Sequence, residues 1–257
     1  MAAPVFFCDA PPGAKPGDVV TVTGPEGHHA AQVARLRTGE DVELVDGEGQ
    51  RLIGHVIVVA KNRIDVQISS VTRETPPDPR IIVVQALPKG ERAERAVESM
   101  TEVGVDVIVP WSAANCVARW TPERSIKGVA KWRSVARSAT KQSRRARVPE
   151  VCTLHSTSEL APWIEASALS LLLDESSEMP LVSVPLPETG DIVLIVGPEG
   201  GVSAEEREHL RAMGVHAVRL GPTVLRTSTA GAVGAAVVAS RTPRWGGAGG
   251  CESPVSG

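Results

Sequence analysis

The stretch LIVGPEGGVSAEE, from Leu194 to Glu206, decides the fold of its half of the chain. An apolar run enters a glycine-rich loop, and Ser203 with Glu206 three residues later is the capping-box pattern that begins a helix. A buried strand, a short loop and a helix in succession form the unit of an α/β sheet. The stretch therefore predicts a strand that ends at a ligand-accessible loop.

The loop is similar to a phosphate-binding turn but lacks both nucleotide fingerprints, GxGxxG and GxxxxGKS/T. Glu199 lies inside it, and Glu205 and Glu206 place negative charge at the positive end of the following helix, where phosphate would be repelled. The glycines still allow close backbone approach by a ligand. We expect a ligand that is neutral or cationic at this loop; the alternative is a tight connector with a solvated Glu199.

Composition places the chain among ordinary globular proteins, with 42% hydrophobic and 22% charged residues in 257. No apolar run follows a basic start, and no stretch reaches the ~18 apolar residues of a spanning helix. We therefore expect a cytoplasmic protein without a membrane segment. The cysteines are scattered, and the pair His28–His29 has no carboxylate or thiol at ligand spacing, so we expect reduced thiols and no metal site.

The hydrophobic pattern changes near residue 75 and divides the chain into two parts. Up to residue 74, short alternating runs such as VVTVTG and RIDVQISSV predict a small β-barrel or sandwich, with one short helix in EGHHAAQVARLR. TPPDPR (75–80) is typical of a linker. From 81 to 242, buried strands alternate with helices, one of them long and crossing 123–146, which predicts a mostly parallel α/β sheet with helices on both faces. Residues 243–257 predict a disordered tail.

Ligands of such sheets bind outside the carboxyl ends of the strands. Three loops of the sequence are candidates for such a ligand site. They begin at Leu173, at Gly197 and at Leu220. In the third, LGPTVLRTSTAGA, the hydroxyls of residues 227–229 are candidate caps for a last helix that runs to Ser240 and is made almost entirely of small residues. Arg226 at its start is either a paired structural charge or a site residue.

Basic residues concentrate between Arg119 and Val148, where ten lysines and arginines accompany one acid, Glu123, in a chain of net charge −3. At about 100° per residue, one arc of about 120° collects five cations, and Lys127 and Lys131 extend it; the five are Arg133, Arg137, Lys141, Arg144 and Arg145. An apolar arc separate from it contains Val129, Trp132, Ala136 and Ala139. Solvated helix faces usually mix both signs of charge, so we interpret this face as a contact surface for RNA phosphates. A merely solvated face is the alternative.

VGPEGGVSAEE and LGPTVLRTSTA closely resemble the signature loops of the SPOUT (trefoil-knot) RNA methyltransferases. The family that methylates N3 of a uridine in 16S ribosomal RNA is the most similar. QALPKGERAERAVESMTEVGVDVIVP and KWRSVARSATKQSRRARVPEV resemble its other two motifs, and HHAAQVARLRTGEDVELVDGEG resembles its PUA-like, RNA-binding barrel. The similarity spans nearly the whole chain in family order.

The resemblance implies a C-terminal trefoil knot, a homodimer, and a substrate that is 16S ribosomal RNA or the small ribosomal subunit. It also implies that three loops hold S-adenosylmethionine. By analogy the cofactor-binding residues are Leu173, Asp174, Glu175, Gly197, Pro198, Glu199, Gly200, Gly201, Leu220, Gly221, Val224, Leu225, Thr227 and Thr229. The predicted RNA-binding residues are Lys89, Arg133, Arg137, Lys141, Arg144, Arg145 and Arg147.

Catalytic roles are assigned to two residues. Arg226, the only cation in the three loops, would stabilise negative charge on the uracil. Glu199 is a candidate base or sulfonium partner, and Glu102 is a weaker one. The chain departs from the family at Ser228, where a Glu is usual, and at Lys141–Arg145. Two other functions stay open: methylation of another RNA target, such as transfer RNA ribose, and a non-catalytic RNA-binding factor on a degenerate knot.

Overall fold

The computed structural model describes residues 3–9, 11, 13–90 and 92–246. These residues group into two compact units, one formed by residues up to 76 with Arg137–Val148, and the other by Pro77–Ala136 with residues 149–246. The predicted tail from 247 onward lies outside the described residues. In the described part of the chain, no helix has the length and apolar character needed to span a bilayer.

The first unit is built on a sheet whose described strands follow the order β1-β3-β4-β5-β2. Its elements are β1 (Val5–Phe7), β2 (Val19–Val22), α1 (Gly24–His28), which continues into a π-helical turn (His29–Val33), β3 (Asp41–Val45), β4 (Gln50–Ala60) and β5 (Arg63–Arg73). Neighbouring strands are antiparallel except β1 and β3. One face supplies the core, as alternation predicts: Leu52 and Val56 of β4 and Ile64 and Val66 of β5 are fully buried.

The second unit is built on a parallel sheet whose described strands follow the order β11-β9-β10-β6-β7-β8. The strands are β6 (Arg80–Ala86), β7 (Val107–Trp111), β8 (Glu150–Val151), β9 (Leu169–Leu173), β10 (Asp191–Val196) and β11 (His216–Val218). The helices are α2 (Arg92–Glu102), α3 (Pro122–Gln142), α4 (Ala161–Glu165), α5 (Ala204–Ala212), α6 (Thr227–Ser240) and α7 (Pro243–Gly246). The mostly parallel sheet predicted from alternating strands and helices is confirmed.

Helix α6 packs between α2 and the central strands β6 and β10. Its small residues allow this close approach: a Cβ on Gly234 would lie 3.0 Å from a Leu173 methyl group, and one on Gly231 would lie 3.0 Å from the Met100 sulfur. The predicted span of the helix, Thr227 to Ser240, is confirmed. The predicted hydroxyl cap is wrong, because Arg226 is the N-cap and makes no side-chain capping bond.

Two other predicted ends differ from the structure. The long helix predicted across 123–146 ends at Gln142, because Arg144 has the left-handed φ of 59° and the Ser143 hydroxyl donates to the Ala139 carbonyl. The predicted tail begins too early, because Pro243–Gly246 forms a helical turn. Arg244 anchors that turn with both guanidinium Nη atoms on the Asp106 carboxylate, at 2.5 and 3.2 Å.

We expect Arg244→Ala to lower the free energy of unfolding by about 3 kcal/mol, because Arg244 and Asp106 are each 10% exposed and the change removes the guanidinium that neutralises a buried carboxylate. Thermal or denaturant unfolding measures this. The matched control is Arg211→Ala, which breaks an ion pair with Glu208 whose side chains are 73% and 64% exposed. Equal melting temperatures for the two variants would contradict a structural role for the buried pair.

Candidate active site at the carboxyl ends of the central strands

A cavity of about 270 Å³ opens where β9 and β10 end and α6 begins. These ends meet because β9 and β10 are parallel neighbours in register, Leu173 beside Val196. The cavity is lined by Leu173, Asp174, Glu175, Val196, Gly197, Pro198, Glu199, Gly201, Val202, Arg207, Val224, Leu225, Arg226, Thr227 and Ala230. Residues from all three predicted loops therefore meet in one place.

The loop Gly197–Gly201 is held from three neighbouring segments. The buried Thr227 hydroxyl donates to the Gly197 carbonyl at 3.0 Å, which joins the loop to the start of α6. The Asn115 amide, from the loop after β7, donates to the Gly201 carbonyl at 3.1 Å. The backbone N–H of Lys89, after β6, donates to the Glu199 carboxylate at 3.2 Å. Together these bonds fix the wall of the cavity.

Two glycines of this loop are needed for its conformation. Gly201 has a φ of +74°, which side chains rarely adopt. A Cβ on Gly200 would lie 3.0 Å from the backbone oxygen of Asn115, so the glycine allows the approach that brings the Asn115 amide to the loop.

The capping box predicted at Ser203 and Glu206 is confirmed. The Ser203 hydroxyl accepts from the Glu206 N–H at 3.1 Å, and the Glu206 carboxylate accepts from the Ser203 N–H at 3.3 Å. Glu206 is only 9% exposed and does more than cap the helix, since it also accepts from the Ala114 N–H at 2.9 Å and the Thr157 hydroxyl at 2.7 Å. Glu206 thus holds Ala114, the residue that precedes Asn115, in position.

The predicted cofactor residue Asp174 is buried and engaged within the protein. Its carboxylate forms an ion pair with Arg207 of α5 and accepts from the Ser176 N–H at 2.9 Å. Arg207 lines the cavity, so Arg226 is not the only cation there, although it is the only one in the three loops. The exposed carboxylates at this cavity are Glu175 and Glu199.

Arg226 is exposed at the rim of the cavity, at the N-cap of α6. Within the described residues its guanidinium has no hydrogen-bond or ion-pair partner, whereas its carbonyl accepts from the Thr229 and Ala230 N–H groups. The backbone of Arg226 is therefore fixed at the start of α6, and its guanidinium is available to a ligand.

Most of the predicted cofactor-binding residues are brought together by the structure. Leu220 and Gly221 lie instead in an adjoining cavity of about 50 Å³, which shares Leu173 and Glu175 with the first. Gly200 and Thr229 line neither cavity, and the Thr227 hydroxyl is occupied by the Gly197 carbonyl.

The predicted RNA-binding cations have several partners inside the protein. In the first unit, Lys141 pairs with Glu26 at 2.7 Å, Arg144 pairs with Glu43, and Arg137 lies 3.6 Å over the Phe7 ring. Arg147 there donates to the Glu74 carbonyl at 2.6 Å. In the second unit, Arg133 donates to the Val151 carbonyl at 2.9 Å, and Lys89 is exposed. Arg145 also has a partner.

Sequence reasoning missed Asn115 and Arg207. Asn115 lies 85 residues before the loop that it holds, and only the parallel pairing of the strands brings the two together. Arg207 follows Ser203 by four residues. Helix periodicity could therefore have placed it one turn into α5, on the same face as Ser203.

Neither metal nor thiol chemistry is indicated at this site. Among the residues that the structure describes, no group of three His, Cys, Asp or Glu side chains could hold a metal ion. Burial raises the pKa of the nearby Cys116 thiol, which therefore stays protonated and is a poor nucleophile.

Comparison with known proteins agrees with this geometry. Residues 75–239 match the family model described as an RNA methyltransferase domain, and residues 22–69 match an RNA methyltransferase PUA domain. The ribosomal RNA small subunit methyltransferase E of Mycobacterium bovis is 43% identical over 251 residues, which covers 95% of this chain and 94% of that protein. The protein of the same name from Bacillus subtilis is 28% identical over 82% of this chain and 85% of its own length.

Solved structures agree as well. The ribosomal RNA small subunit methyltransferase E of Neisseria gonorrhoeae, bound to S-adenosyl methionine, superposes with a TM-score of 0.82 at 27% identity, covering 94% of this chain and 98% of that one. A Legionella pneumophila methyltransferase in complex with the same cofactor gives 0.82 at 28% identity, covering 94% and 99%. The chain belongs to the RNA methyltransferase family.

Proposed function

We propose that this protein transfers a methyl group from S-adenosylmethionine to N3 of a uridine in 16S ribosomal RNA. The observation that carries the proposal is 43% identity, over nearly the full length of both chains, to a ribosomal RNA small subunit methyltransferase E. The names of the relatives favour this target over transfer RNA ribose, and an unpaired cation beside a cavity favours an enzyme over a non-catalytic binding factor. Ribosomal RNA as substrate implies a cytoplasmic location.

The cavity fits S-adenosylmethionine by its chemistry. Apolar side chains line it, among them Leu173, Val196 and Leu225, and the glycine loop offers backbone groups. Glu175 and Glu199 supply exposed carboxylates suited to a cationic ligand, in agreement with the absence of a phosphate fingerprint. When bound, this cofactor supplies an electrophilic methyl group on a positively charged sulfur.

The chain's own residues would act on the uridine. The uracil loses its N3 proton on methylation, and negative charge develops on the ring. Arg226, exposed and unpaired within the described residues, is positioned to stabilise that charge. Glu199 is our candidate acceptor of the proton: one carboxylate oxygen accepts from the Lys89 N–H. The target base must leave its RNA stack to reach the rim.

We also propose a homodimer. Helix α6 carries an apolar stripe at helical spacing that the chain leaves partly open, with Val233 37% exposed and Ala236 and Val237 half-buried. A second copy would cover it. Sedimentation velocity tests this proposal: a species of twice the chain mass supports it, and a monomer at micromolar concentration opposes it.

The trefoil knot and the domain bounds 1–74 and 81–242 belong to the same proposal. The contacts of α6 support threading, because Arg241 at its end donates to the carbonyls of Leu181 and Val184 while Thr227 at its start binds Gly197. An experimental density map traced through residues 174–242 tests the knot, since an unthreaded path would refute it.

The most direct test of the substrate is mass spectrometry of nucleosides from 16S ribosomal RNA. We expect N3-methyluridine in cells that contain the protein, its loss on deletion of the gene, and its return with the wild-type gene. Unchanged N3-methyluridine in the deletion strain, or loss of a different nucleoside, would refute the assigned target.

We expect Arg226→Ala to lower kcat by about 10²–10³-fold with little change in cofactor affinity, because a cation that stabilises developing charge acts mainly in the transition state. Single-turnover methyl transfer and calorimetric titration of the cofactor measure the two effects. Arg211→Ala, a change at an exposed arginine of α5, is the matched control and should keep wild-type rates. Normal methyl transfer by Arg226→Ala would remove the assignment.

We expect Glu199→Gln to lower kcat by about 10²-fold, because the amide oxygen can still accept from the Lys89 N–H but cannot take up a proton. A wild-type rate for Glu199→Gln would limit Glu199 to holding its loop.

A further inference from the structure

Helix α3 carries two rows of cations. Sequence periodicity centres the basic face on the first row, Arg133, Arg137 and Lys141, and includes Lys127 and Lys131 only as an extension. All three side chains have protein partners: the Val151 carbonyl, the Phe7 ring, and the Glu26 carboxylate. Lys141 is only 14% exposed. The charge of Lys141 is therefore neutralised within the protein, whereas Arg133 and Arg137 are exposed and contact uncharged groups.

The second row consists of Arg124, Lys127 and Lys131, which fall within an arc of about 60°. All three are exposed. Lys131 makes one long contact of 3.4 Å with Glu94, where both side chains are about half exposed, and such pairs contribute little. In the described part of the chain, Arg124 and Lys127 have no ion-pair partner. This row therefore presents three exposed cations that have little engagement with the rest of the protein.

The buried side chains locate both rows relative to the inner side of the helix. Val129, Trp132, Ala136 and Ala139 are each at most 5% exposed and mark the inner side of α3. At about 100° per residue, the second row lies about 110° around the helix from the first, and the middle of each row lies about 120–130° from the middle of that inner side.

We propose that Arg124, Lys127 and Lys131 form the surface that contacts RNA phosphates, with Lys141 and Arg144 serving the fold of the first unit. The proposal rests on the proposed function, which supplies RNA as the partner. The row spans about 10 Å along the helix, at about 1.5 Å per residue. A stacked strand carries one phosphate per about 3.4 Å, so three cations match about three successive phosphates.

The test uses the full chain with Arg124, Lys127 and Lys131 all changed to Gln, which keeps helix propensity while removing charge. Affinity for deproteinised 16S ribosomal RNA is measured between 50 and 200 mM salt. We expect the slope of log K against log salt to fall by about 2, since each phosphate contact contributes about 0.7 on single strands. A charge-retaining variant, with Arg124→Lys, Lys127→Arg and Lys131→Arg, should restore the wild-type slope.

Arg144→Gln is the comparison variant, because it removes an equally basic residue that pairs with Glu43. We expect it to lower the melting temperature and leave the salt slope unchanged. An unchanged salt slope in the triple variant, or a larger decrease of the slope in Arg144→Gln, would overturn the proposal. The proposed function would still stand if the wild type binds RNA. Absence of RNA binding by the wild type would overturn both.

Discussion

The hydrogen bond from the Thr227 hydroxyl to the Gly197 carbonyl, 3.0 Å long and part-buried, joins the two elements on which the site depends. It ties the end of β10 to the start of α6, and thereby sets where Arg226 lies relative to the glycine loop. The fully buried Gln85 at the end of β6 extends the link, because its amide donates to the Thr227 carbonyl at 3.2 Å. Three chain segments far apart in sequence are thus held at one edge of the sheet.

Carboxylates that seem misplaced in a ligand loop have definite partners here. Glu206 accepts from its own helix cap, from Ala114 and from Thr157, so it organises the loop that carries Asn115. Asp174 pairs with Arg207, and Glu199 receives the Lys89 N–H. Such charge-assisted bonds are stronger than neutral ones, and they build a rigid wall around a cavity that has no phosphate-binding character.

Local signals predicted the elements well and their mutual contacts poorly. The capping box at Ser203 and the span of α6 follow from residues within one helical turn of each other, so the sequence alone reveals them. The contact of Asn115 with Gly201 joins residues 86 apart and depends on the register of the sheet. Periodicity found the basic helix but centred its prediction on the row whose side chains have protein partners, because a helical wheel does not show which neighbour supplies Glu26 or Val151.

The central claim is that the loop held by Thr227 forms the cofactor site, and calorimetric titration of S-adenosylmethionine into matched variants tests it most directly. Thr227→Ser keeps the hydroxyl, whereas Thr227→Val keeps the shape and leaves the Gly197 carbonyl without its donor, a loss of about 1–3 kcal/mol. We expect wild-type affinity for Thr227→Ser and at least about tenfold weaker binding for Thr227→Val. Equal affinity in all three proteins, or no binding by the wild type, would contradict it.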